Sequence, residues 1–119
     1  MNPICVLEKE ADELGVEIGW LNLSKYTPPA ASYKYMKIAM NRNWHKPEEI
    51  PFQLAHEISH IKNHDNCTLA FYHASYSSQE RIEREANIGA IKLLLPIFND
   101  MGYENNPVKF IQVFHIPNY

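Results

Sequence analysis

Several things are scarce in this chain, and each scarcity removes a class of protein. Cysteine is limited to two residues, Cys5 and Cys67, far apart in 119 positions. That is too few for a disulfide framework, so they are expected to be free, reduced thiols in a cytoplasmic protein. No Cys-x-x-Cys exists to partner His64-x-x-Cys67, which argues against a closed four-ligand structural zinc site. Basic residues do not dominate: the net charge is −3 and the pI is near 6.0, so direct nucleic-acid binding is not expected. No window approaches the ~20 apolar residues of a membrane span. The first residues lack a charged start followed by a long apolar run, so no signal peptide is expected. Repeats and low-complexity tracts are also missing. What remains is one domain over residues 1–119, 45% hydrophobic, with chain enough for one core.

The most informative stretch is Leu54-Ala55-His56-Glu57-Ile58-Ser59-His60, which contains His-Glu-x-x-His. On a helix, residues four apart share a face, so His56 and His60 can offer two imidazole nitrogens to one ion. Zinc takes such nitrogens at about 2.0–2.1 Å and keeps an open position when its task is catalytic. Glu57, roughly 100° around the helix, lies at the edge of that face, where a carboxylate can act as a general base. Pro47-Glu48-Glu49-Ile50-Pro51 reads as the helix entrance, so the helix should run from about 48–51 through 63. Phe52, Ala55, Ile58 and Ile61 form its buried stripe. His64 extends the four-residue ladder. It is two turns from His56, which favours an outer or surface place over a third ligand.

The rest of the chain supplies a frame. Ile4, Leu7, Ala11 and Leu14 predict an amphipathic helix over 4–14, stopped by Gly15. Val16-Glu17-Ile18 alternates as a short strand, and the two prolines of 25–32 predict a loop. Tyr33 to Met40 alternates over a longer span, either as a core strand or as an edge able to pair with an extended peptide. A polar turn follows at 41–46, and 65–76 reads as a loop. Ser77 and Glu80 form a capping box, so a helix is expected from about 78 to Leu95, ending before Pro96. Its face of Ile82, Ala86, Gly89, Ala90 and Leu93 suits close packing. Glu83 and Asn87 adjoin that face, where Glu83 can complete a His-His-Glu site and Asn87 can orient a histidine. By phase alone Glu83 fits equally as an exposed acid paired with Arg84 or Asn87. Glu85 lies about 200° from Glu83 and is the alternative third ligand. A helical turn over 97–103 and a closing helix after Asn106-Pro107 complete the chain. His73, Tyr72, Tyr76 and His115 are candidate donors to an oxyanion.

These residues resemble the ImmA/IrrE metallo-endopeptidases. The resemblance rests on His56-Glu57-Ile58-Ser59-His60, the trailing His64, and Glu83-Arg84-Glu85-Ala86-Asn87-Ile88-Gly89-Ala90 ending in Leu93-Leu94-Leu95-Pro96. It covers about residues 33–96. It implies a gluzincin-like α+β fold, with a small sheet beside the His-Glu-x-x-His helix and a second helix carrying the glutamate. It further implies that His56, His60 and Glu83 bind zinc and that Glu57 is the catalytic base. The implied substrate is a helix-turn-helix repressor, cut to release a phage, mobile element or stress regulon. The alternative is a non-catalytic anti-repressor with a structural metal, and a hydrolase of non-protein substrates is a third reading. Gly89 stands where the family usually has Phe, a departure expected to loosen packing behind the metal.

Overall fold

The helix carrying His56 to His60 lies at the centre, with the other elements arranged around it. The computed structural model describes residues 2–65, 76–103 and 106–116, without the side chains of 76–78. Helix α1 is Pro3–Glu13, with the Asn2 side chain accepting from the Ile4 N–H at 2.9 Å and proline in the first turn. It ends where Gly15 takes φ +79°, a conformation costly for a residue with a Cβ. Of the predicted stripe, Leu7 and Ala11 are buried and Ile4 is half-buried, while Leu14, past the helix end, is exposed.

Three strands follow: β1 (Glu17–Leu21), β2 (Ala30–Ser32) and β3 (Lys37–Asn41). Their order is β1-β3-β2, with β1 parallel to β3 and β2 antiparallel to it. Two expectations are corrected here. The proline-containing 25–32 segment is not all loop, because Ala30–Ser32 pair with Lys37–Ala39 once the prolines are passed. The alternation from Tyr33 becomes a strand only at Lys37, since Tyr33–Met36 form a turn in which Met36 has φ +52°. β3 is also the middle strand, so its backbone is paired on both sides and it is not an edge open to a peptide. Ile38 and Met40 point into the core, at 2% and 0% exposure.

Asn41, expected only as part of a polar turn, is fully buried and organises the loop between β1 and β2. Its Oδ1 accepts from the Leu23 and Asn43 amides, and its Nδ2 donates to the Ser24 and Thr27 carbonyls. A primary amide has two donors and an acceptor oxygen, so one side chain satisfies four backbone groups.

A 3-10 turn at Pro47–Glu49 leads into α2 (Ile50–Lys62). The indole of Trp44 donates to Glu49 at 2.8 Å and fixes the entrance. Phe52, Ala55, Ile58 and Ile61 are buried as expected, with Leu54 also at 0% exposure. Helix α3 is Tyr76–Asp100 and packs along α2. It does not stop before Pro96, which corrects the predicted end. Proline inside a helix removes one hydrogen bond and costs about 3 kcal/mol. Ile97 and Phe98, just beyond it, are buried to 5% and 2% exposure, and two such side chains contribute about 3–6 kcal/mol. Packing therefore carries the helix through. Phe98 meets Phe110 and Phe114 of α4 (Pro107–Phe114), with centroids 5.2 and 6.3 Å away. Helix α4 is capped by Asn106, which accepts from the Lys109 N–H. The result is a small α+β fold with the sheet, α1 and α3 packed on α2, and α4 closing on the end of α3.

Candidate metal centre

Four residues apart on α2, His56 and His60 turn their rings to the same point, with Nε2 to Nε2 3.0 Å. The rings meet edge-on, with centroids 4.6 Å apart. The opposite nitrogens are already engaged. His60 Nδ1 lies 3.1 Å from Asp65 Oδ2, and His56 Nδ1 lies 2.6 Å from Asn87 Oδ1. A carboxylate and an amide oxygen only accept, so each ring donates its Nδ1–H there and turns Nε2 to the shared point.

Glu83 reaches this point from α3. Its Oε2 is 2.9 Å from His56 Nε2 and its Oε1 is 3.4 Å from His60 Nε2. In a tetrahedral zinc site with ligands at about 2.0–2.2 Å, ligand atoms stand roughly 3.3 Å apart, and the three separations fall around that value. The two Nε2 atoms and the Glu83 carboxylate face one another, an arrangement that a shared cation would satisfy. The donor set, two nitrogens and an anionic oxygen, suits a divalent transition ion. Packing brings the two helices together here: Ala86 and Ala90 of α3 are fully buried, and the small side chains permit close approach.

Glu57 is 5% exposed, and with His56 and His60 it forms a group whose potential ligand atoms all lie within 4.8 Å of one another. Its Oε2 is buried with no hydrogen-bond partner among the described residues. Burial raises its pKa above the usual carboxylate value, chiefly by desolvation; His56 and His60 oppose the rise and Glu83 adds to it. Geometric proximity alone makes Glu57 as eligible a ligand as Glu83. Glu83 nevertheless spans both Nε2 atoms, whereas Glu57 is an orphaned acceptor beside them.

The remaining candidates separate cleanly. Asn87, 7% exposed, holds His56, as its phase with Glu83 suggested. Glu85 is exposed and borders a groove with Lys62, Asn63 and Lys92. His64 is exposed, has φ +62° and stacks on Tyr33 at 4.2 Å. His115 is exposed in the left-handed turn that ends α4. Tyr72, His73 and Cys67, and the side chain of Tyr76, lie outside what is described. Asp65 was missed by sequence reasoning. It lies in what reads as a loop, five residues after His60, where no periodicity marks it.

Gly89 corrects the expectation of loose packing. A Cβ built there would overlap Ser59 Oγ and lie 3.0 Å from Ser59 Cβ. The missing side chain thus lets α2 and α3 touch beside His60. Gly89→Ala should cost about 1–3 kcal/mol of overpacking, less the ~1 kcal/mol that alanine contributes in a helix. Urea unfolding should show this net loss, with part of it restored by adding Ser59→Ala.

The Peptidase M78 family model, described as the IrrE N-terminal-like domain, matches residues 11–98. No curated protein matches the chain. The family match runs from α1 into the last turns of α3 and takes in both helices whose side chains converge. The chain therefore belongs to the M78 family, the metallopeptidases of the IrrE/ImmA type.

Proposed function

We propose that this protein is a zinc-dependent endopeptidase in which His56, His60 and Glu83 hold the ion and Glu57 is the general base. The observation that carries the reading is the approach of Glu83 to both Nε2 atoms, at 2.9 and 3.4 Å. A zinc ion at that point supplies a Lewis acid that polarises the scissile carbonyl and acidifies water. The chain's own residues do the rest. Asn87 and Asp65 accept from the Nδ1 side of each imidazole and so aim its Nε2. Glu57 takes a proton from the attacking water as its oxygen bonds to the carbonyl carbon. The same carboxyl then delivers that proton to the amine nitrogen as the C–N bond breaks. One peptide bond and one water yield an acid and an amine, and Glu57 returns to its carboxylate.

The substrate we propose is a helix-turn-helix transcriptional repressor, whose cleavage derepresses a phage, mobile element or stress regulon. The family resemblance supports this, and the protein substrate is in keeping with a metallopeptidase family. The setting we propose is the cytoplasm. No helix of the described residues is long and apolar enough to cross a membrane.

The test is incubation of the repressor encoded beside this gene with substoichiometric amounts of the protein. Two discrete fragments are expected, lost on adding a chelator and regained with zinc. Loss of repressor activity only at equimolar protein, with the repressor intact, would replace the peptidase with a sequestering anti-repressor.

A further inference from the structure

We propose that Asp65 is a positioning residue for the metal, holding the His60 ring from behind and raising its affinity for the ion. The inference rests on the metal reading of His56, His60 and Glu83 given above. The contact is 3.1 Å between Asp65 Oδ2 and His60 Nδ1, and the His60 side chain is 1% exposed. A carboxylate on the far nitrogen of an imidazole makes Nε2 a stronger donor and fixes the ring's rotation.

Helix capping does not account for an acid here. The last turn of α2 is the negative end of its dipole, where a carboxylate is disfavoured and a cation preferred. The backbone instead bends to bring Asp65 onto the ring. The Asp65 N–H donates to the His60 carbonyl at 2.8 Å and the His64 N–H to the Ile61 carbonyl at 3.0 Å. With His64 at φ +62°, this is a Schellman ending, in a position that usually favours glycine. The turn is gripped from outside as well. The Tyr33 N–H donates to the Asp65 carbonyl at 3.3 Å, and the Tyr33 ring stacks on His64 with 20° between planes. The turn that follows β2 thus sets the place of a carboxylate that aims a ligand. The two histidines are also treated differently, since the partner behind His56 among the described residues is the neutral Asn87.

The experiment uses the full chain stripped of metal and titrated with Co2+ in competition with a chelator, reading affinity and the visible d–d absorption. Asp65→Ala should weaken Co2+ binding about 10–100-fold and alter the band shape. Asp65→Asn, which keeps an acceptor oxygen without the charge, should fall between Asp65→Ala and wild type. Glu85→Ala, at an exposed residue away from the rings, should bind as wild type does. If Asp65→Ala lowers the melting temperature but leaves Co2+ affinity and spectrum unchanged, Asp65 is only structural and the inference is overturned. A wild-type chain that takes up no Co2+ would instead overturn the metal reading, and this inference with it.

Discussion

Glu57→Gln is expected to abolish peptide cleavage while leaving metal binding intact. Positioned general bases contribute about 10²–10⁴ in rate, and Gln keeps the shape of the side chain without the ability to take a proton. Because Glu57 Oε2 has no partner among the described residues, its replacement breaks no hydrogen bond seen there. The substitution should separate chemistry from binding: the metal content of the purified variant equals that of wild type, and fragments do not appear. A variant that cuts at the wild-type rate would remove Glu57 from the mechanism.

The same residue makes a signed pH prediction for the metal-free chain. Its folded pKa lies above the ordinary 4.5, so the folded state binds its proton more tightly than the unfolded state does. The stability this contributes is fully present below about 4.5 and is lost as pH rises through the elevated folded value. Glu57→Gln removes that titration. The melting temperature of the stripped variant should therefore decline less over this window than that of stripped wild type.

The second large effect is expected at Glu83. Glu83→Ala should weaken metal binding on the order of 10²–10³-fold, since the ~10–16 kcal/mol of a four-ligand zinc site divides into a few kcal/mol per ligand. Cleavage should be lost with the metal. Glu85→Ala should leave both unchanged, because Glu85 is exposed on a different side of α3, beside Lys62 and Lys92. Inductively coupled plasma measurement of bound zinc distinguishes the two variants. Zinc retained by Glu83→Ala and lost by Glu85→Ala would exchange the residues' roles.

Legibility followed the range of the interactions. The helical faces within 4–14, 51–63 and 78–95 were readable because a helix writes its buried side into residues three and four apart. Phase left Glu83 either completing the site or standing as an exposed acid beside Arg84 or Asn87, and the structure brings Asn87 onto His56 and Glu83 onto both rings. What escaped depends on partners distant in sequence. Ala30–Ser32 is a strand only because Lys37–Ala39 lie alongside. β3 is central only because β1 pairs on its other side. Helix α3 survives Pro96 because Ile97 and Phe98 have a core and α4 to enter. Asn41 and Asp65 each look like ordinary turn residues. Their roles come from the Leu23–Thr27 backbone in one case and from a left-handed bend that returns a carboxylate to His60 in the other. The Gly89 departure was visible, but its sense was not, since Ser59 fills the space from the other helix.

The proposed ligands come from two helices separated by residues 63–75, and this gives the ion a mechanical office. A cation gripped by His56, His60 and Glu83 is a rivet between α2 and α3, and the unfolded chain offers no such grip. Each tenfold rise in free ion above the dissociation constant should then add about 1.4 kcal/mol to the folded state. A cell that withdraws zinc would loosen this helix pair as well as silence it, leaving scarcity of the ion to be felt as fragility of the fold.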